Sequence, residues 1–115
     1  MSNFQFLHKE WPAINDQGIS GVFNNDTALD TLHCSSNQLT SHDVSNNTSL
    51  TYLNCGGNQL TILDVSKNTD LTYLWCPNNQ LTTLDISAAT ALTKLSCWKN
   101  QLTSLDVSTN TSLAF

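Results

Sequence analysis

The sequence predicts a solenoid built mainly of β structure, and three observations carry that expectation. Cys34, Cys55, Cys76 and Cys97 stand 21 residues apart, each following Leu-x and preceding x-x-Asn-Gln-Leu-Thr. Each unit divides into two similar halves, L-x-x-L-x-C-x-x-N-Q and L-T-x-L-D-V-S-x-N-T. Neither half holds a run of helical periodicity long enough for a helix. At a fixed period of this length, a unit buries its apolar side only by stacking on its neighbours.

Four coils follow, at residues 29–49, 50–70, 71–91 and 92–112. Within L-x-C and L-D-V, apolar residues alternate with polar ones, the pattern of a short strand with one buried face. The expectation is therefore two short parallel strands per coil, with Leu, Cys and Val pointing inward. Asn37, Asn58, Asn79 and Asn100 form one corner column, and Asn47, Asn68 and Asn110 another. A buried amide must find partners, so these columns read as bridges between the backbone groups of adjacent turns.

The nested halves resemble the leucine-rich repeats, in particular the bacterial 21-residue subclass known as IRREKO. The resemblance covers residues 29–113 and extends weakly backwards, where Phe23 to Leu29 lines up with Val107 to Leu113. It implies an arc-shaped solenoid that binds other macromolecules, usually proteins, and it implies no catalysis. On this division residues 29–115 hold four repeats and the start of a fifth, and residues 18–28 are a degenerate half-repeat. Residues 1–17 read as a cap segment, a short helical one, because Phe4, Leu7, Trp11 and Ile14 fall at helical spacing before and across Pro12. His42 replaces the Leu of positions 63, 84 and 105, and Ala89 replaces an Asn.

Composition narrows the function. Charged residues are only 11% of the chain, and the four lysines, with no arginine, leave a formal charge of −5. Binding a phosphate backbone needs clustered Lys and Arg, so nucleic acid is not an expected partner. Neither a leader peptide nor a stretch of membrane-spanning length is evident, so no membrane insertion is expected. Reduced cysteines point toward a cytoplasmic, reducing compartment.

The residues that look like chemistry have structural readings. Cysteines in an inward column point the same way, which suits neither a disulfide nor a tetrahedral metal site. Asp43, Asp64, Asp85 and Asp106 point outward, and each is expected to bond its own Ser and Thr neighbours rather than a cation. Cys34, His42 and Asp43 offer the residue types of a triad, but the spacing gives no reason for a nucleophile, base and orienting group to converge. His42 reads as a polar residue tolerated near the solenoid's end. No enzyme and no cofactor are expected.

Comparison of the four copies locates the working face. Outward positions of the second half barely change, whereas those of the first half change at every coil. One column runs Thr31, Tyr52, Tyr73, Lys94; the next His33, Asn54, Trp75, Ser96; the third Ser35, Gly56, Pro77, Trp98. Tyr52, Tyr73, Trp75, Lys94 and Trp98 are the candidate ligand-binding residues, since exposed Trp and Tyr are common interface anchors, the alternative being cross-strand aromatic stacking that only stabilises the sheet. A protein or a glycan would fit such a surface. The alternative function is structural, a homo-oligomer that forms through the apolar C-terminal coil.

Overall fold

The computed structural model describes residues 4–6 and 27–114. Among these, five short strands form one parallel sheet in chain order: β1 (Phe4–Phe6), β2 (Thr31–His33), β3 (Tyr52–Asn54), β4 (Tyr73–Trp75) and β5 (Lys94–Ser96). From β2 onward the register repeats coil by coil, with Thr31 opposite Tyr52, Tyr52 opposite Tyr73 and Tyr73 opposite Lys94. In β2 to β5 the central leucine faces inward, and a tight corner follows at once. The third residue after each of these four strands sits in the left-handed region, with φ of 57° at Ser36, 68° at Gly57, 57° at Asn78 and 55° at Lys99. Glycine and asparagine enter that region readily, whereas serine and lysine do so at a cost of about 1 kcal/mol.

The corner asparagines hold these turns. Asn79 donates through Nδ2 to the carbonyls of Cys55 (3.1 Å), Cys76 (3.2 Å) and Pro77 (3.3 Å). Its Oδ1 accepts the Leu60 amide at 3.0 Å. One side chain thus closes its own corner and ties it to the preceding coil. Asn58 and Asn100 repeat the pattern, accepting the Leu39 and Leu81 amides.

The core is a stack of leucine columns, including Leu32, Leu53 and Leu74, running beside Cys34, Cys55 and Cys76, all fully buried. Burying one leucine contributes roughly 1.5–3 kcal/mol, so the columns supply the main driving force. The cover thins in the last coil, where Leu95, Cys97, Leu102, Leu105 and Val107 are only partly buried.

Two expectations need correction. Each coil carries one strand among the described residues, not two. The second half keeps the in-out alternation, with Leu63 and Val65 buried around exposed Asp64. Its backbone, however, bonds locally. The Ser66 amide donates to Asp64 Oδ1 at 2.9 Å, Asn68 N to Val65 O at 3.0 Å and Leu71 N to Asn68 O at 3.2 Å. Adjacent coils are joined there by side chains instead, as when Asn68 Nδ2 reaches the carbonyls of Val44 (3.1 Å) and Asn47 (2.9 Å).

The second correction concerns the N-terminal segment. Phe4–Phe6 is a strand, not the start of a helix, and pairs in parallel with β2, Phe4 opposite Thr31 and Phe6 opposite His33. Phe-Gln-Phe pairs as a strand because β2 would otherwise present an unpaired row of backbone groups. The other helical-spacing residues (Leu7, Trp11 and Ile14) and the half-repeat at 18–26 lie outside the described residues.

Two stability measurements check this account of the asparagines. Asn79→Ala strands the buried Leu60 amide and removes the ties between two coils, so it should lower unfolding free energy by about 2 kcal/mol in urea titration. Ala89→Asn should raise it by up to about 1 kcal/mol, because an amide there can reach the carbonyls of Val65 and Asn68. Asn110 already does the equivalent, donating to Ile86 O at 2.9 Å and Ala89 O at 3.0 Å. A lower midpoint for Ala89→Asn would mean that the third coil has closed around the smaller side chain.

Candidate functional site

The outward side of the sheet is the candidate site, and strand register assembles it. Residues opposite one another in a parallel sheet lie one strand spacing apart, so each variable column becomes a row of neighbouring side chains. The rings of Tyr52 and Tyr73 stack with centroids 4.6 Å apart and planes 16° from parallel. Trp75 continues the stack beyond Tyr73 at 5.6 Å and 18°. His33 joins at the other end, 4.7 Å from Tyr52 and tilted by 36°. The sequence reading places His33 in a variable column but not among the binding residues. Its contact with Tyr52 arises from the step between neighbouring columns on adjacent strands.

This stacking settles what the aromatics present. Ring faces cover one another, so Tyr52 and Tyr73 show solvent mainly their edges and phenol groups. Burial in the stack, with Tyr73 adding to it, pushes the Tyr52 phenol above its ordinary pKa and keeps it uncharged. Each stacked pair contributes about 0.5–1.5 kcal/mol, so these rings also stabilise the sheet.

Trp98 lies outside the stack. It is 54% exposed, and the Lys99 ammonium sits 5.2 Å from its ring centroid. Trp75 and Trp98 line one groove together with Asn54, Gly56 and Pro77. A Cβ at position 56 would meet Pro77 Cδ at 3.0 Å, so the absence of a side chain there gives the proline its room. Lys94 is exposed on β5, opposite Tyr73. All five candidate binding residues therefore fall on one side: Tyr52, Tyr73 and Trp75 in the stack, Lys94 beside it and Trp98 across the groove. The register also brings β1 to the edge of this sheet, with Phe4 level with Thr31 and Phe6 level with His33. The alternating Phe-Gln-Phe was the only sequence signal for that strand.

The opposite wall of the coils is uniform and acidic. Asp43 Oδ1 accepts the Ser45 hydroxyl at 2.6 Å and the Ser45 amide at 3.0 Å. The amides of Ser87 and Ser108 meet Asp85 and Asp106 likewise, at 2.9 and 2.8 Å. Serine hydroxyl and amide donors hold all four carboxyls, Asp64 included, below their ordinary pKa. This is the local bonding expected of that column.

The cysteines are free thiols. Burial pushes all four upward in pKa, Cys76 to about 12. No group of three or more His, Cys, Asp or Glu suited to a metal ion occurs among the described residues. The structure does bring Cys34 and His42 together, which sequence spacing gave no reason to expect. Cys34 Sγ lies 3.7 Å from His42 Nε2 and 3.9 Å from Nδ1. Both side chains are buried, and the Asp43 carboxylate is turned outward to Ser45 rather than toward the imidazole. Burial lowers the His42 pKa to about 4 against a smaller opposing pull from Asp43. Thiol and imidazole are both neutral at pH 7, the resting state of packed core rather than of an activated nucleophile.

The pH consequence of His42 is directional. The unfolded chain takes up this proton near pH 6.5 and the folded chain only near pH 4, so the unfolded state binds more protons in between. Stability is fully present above pH 6.5 and falls toward pH 4, by on the order of 3 kcal/mol. His33, also lowered by burial, acts in the same sense. Thermal unfolding at pH 7.5 and pH 4.5 should show a large drop for the native chain and a clearly smaller one for His42→Leu. The leucine should also raise Tm at both pH values, since it restores the residue found at 63, 84 and 105.

Comparison with known proteins agrees with this geometry. The description of leucine rich repeats (2 copies) matches residues 48–89. No curated protein sequence matches the chain. Among solved structures, the functional domain of InlJ from Listeria monocytogenes, described as including a cysteine ladder, is 54% identical. That match covers 76% of this chain and 19% of the solved InlJ chain, with a TM-score of 0.75. Internalin C2 of the same species is 25% identical over 84% of this chain and 41% of its own, with a TM-score of 0.69. A leucine-rich repeat protein of Leptospira interrogans is 25% identical over 76% of this chain and 30% of its own, with a TM-score of 0.59. The chain thus spans between a fifth and two fifths of the length of these proteins. A cysteine ladder is named for the InlJ domain and stands in this chain as Cys34, Cys55, Cys76 and Cys97, and the chain is a leucine-rich repeat protein similar to these bacterial ones.

Proposed function

We propose that the chain is a non-catalytic recognition module that binds a protein through the outward side of its sheet. The observation that carries this reading is the confinement of variation and aromatic content to that side. Asp43, Asp64, Asp85 and Asp106 on the other wall are identical and locally bonded, whereas no column on the sheet side keeps one residue type. Positions that only maintain the fold have reason to repeat. The stacking of Tyr52 on Tyr73 favours a protein over a glycan, because a sugar ring needs an uncovered aromatic face and these rings cover each other. Edges and phenol groups instead suit the mixed apolar and hydrogen-bonding contacts of a protein interface.

A second reading follows from the thin cover of Leu95, Cys97, Leu102, Leu105 and Val107. That coil would associate with another copy, and the association would depend on concentration and not on the aromatics.

The test is capture from host proteins with the native chain, Trp75→Ala/Trp98→Ala, and Ile62→Ala as an exposed control on the other wall. One protein retained by the native chain and the Ile62 variant, and lost from the double variant, is the expected result. Equal retention by all three baits overturns the proposal. Self-capture by all three, confirmed by sedimentation at two concentrations, favours assembly.

A further inference from the structure

We infer that the partner segment is acidic, and that it places an aromatic or proline residue between Trp75 and Trp98 with its carboxylates against Lys94 and Lys99. This inference rests on the sheet side being the recognition surface and names the chemistry of what it recognises.

Charge distribution supplies the first argument. The chain carries a formal charge of −5, yet the described cations are not spread among the carboxylates. Asp43, Asp64, Asp85 and Asp106 line the wall opposite the sheet, where Lys67 sits close enough to Asp64 to lower its pKa. Lys94 and Lys99 are the other described lysines, and both belong to the sheet-side columns and corner of the fourth coil. The described carboxylates close in sequence to the strands are Asp30, which precedes β2 and accepts from Thr31 Oγ1 at 3.0 Å, and Asp70, exposed three residues before β4. Three strand spacings separate β2 from β5, about 14 Å. That exceeds the roughly 8 Å screening length at physiological salt, so Asp30 does not neutralise the lysines. Lys94 and Lys99 therefore have only Asp70 among the described carboxylates of their own and the adjoining coil's approach to the sheet, and this end of an acidic molecule carries the excess positive charge that selects and orients an anionic partner.

The groove supplies the second argument. Trp75 and Trp98 flank it, Pro77 and Gly56 form part of its lining, and Asn54 and Asn78 are polar groups along it. The Asn54 side-chain oxygen already accepts the Gly56 amide at 3.2 Å. A groove with two indoles suits a planar apolar side chain, as in aromatic-lined sites that take proline-containing segments. The Lys99 ammonium, 5.2 Å from the Trp98 ring centroid, puts positive charge beside one of the two indoles that line the groove. Apolar anchor and carboxylate must therefore be close together in the partner.

A peptide-display library panned against the full chain tests this. The expected peptides carry an excess of Asp or Glu within a few residues of Pro or an aromatic. A synthetic peptide of the enriched sequence should lose about tenfold in affinity with Lys94→Glu/Lys99→Glu, and about as much with Trp98→Ala. Its affinity should also fall as sodium chloride is raised. Enriched peptides without an acidic excess, or equal binding by the charge-reversed chain, overturn the inference and leave recognition by the sheet side standing. Absence of any peptide that distinguishes the native chain from Trp75→Ala/Trp98→Ala overturns both. Lys94, Trp98 and Lys99 are exposed and Trp75 is half-buried, and circular dichroism of each variant establishes that the fold is retained.

Discussion

The side-chain amide that bridges two coils is the interaction on which the rest of this structure depends. A solenoid with strands of three residues leaves most of its backbone outside any ladder. Those carbonyls and amides lie against an apolar core, where an unpaired group costs about 1–3 kcal/mol. Asn58, Asn79 and Asn100 meet this demand with one residue per corner, each donating to two coils and accepting from one. Threonine hydroxyls assist at the strand entrance, where Thr72 and Thr93 reach back to the carbonyls of Thr51 and Thr72, each at 3.0 Å. With the corners satisfied in this way, the coil can be as short as 21 residues and still stack.

Short coils have a consequence for the core. There is room for one inward residue per strand and one more at its end, so leucine and cysteine alternate as large and small members of adjoining columns. The thiols are held neutral by burial and act as compact apolar filling. His42 interrupts this economy at one place. It exchanges a leucine for an imidazole that rests against Cys34 and resists protonation, which makes the first coil the part of the core that responds to acid.

The same arrangement frees the surface. Since corners and core hold the coils together, outward residues of the sheet need only tolerate a strand. They have diverged into a stack of rings, a groove between two indoles and a pair of lysines, while the opposite wall keeps one Asp and one Ser in every coil. Strand spacing of about 4.8 Å turns divergence in sequence into adjacency in space. The rings then cover each other, which changes what they offer a partner from flat faces to edges.

Period and alternation were enough to foresee the solenoid, the inward leucines and cysteines, the corner asparagines and the variable side, because stacking forces equivalent residues of every coil into register. The local Asp-to-Ser bonding was legible for the same reason, being contained in three consecutive residues. Other features required the folded chain. Alternation at L-D-V was read as a strand, but competition between ladder and local turn bonds is decided by whether a partner backbone lies in reach. Phe4–Phe6 joins the sheet because β2 has an open edge, which no periodicity within the segment encodes. The meeting of Cys34 with His42, and of Tyr52 with Tyr73 face to face, depends on rotamers and on distances across half a coil or between coils. Those contacts exist only once packing has chosen among the conformations that the sequence permits.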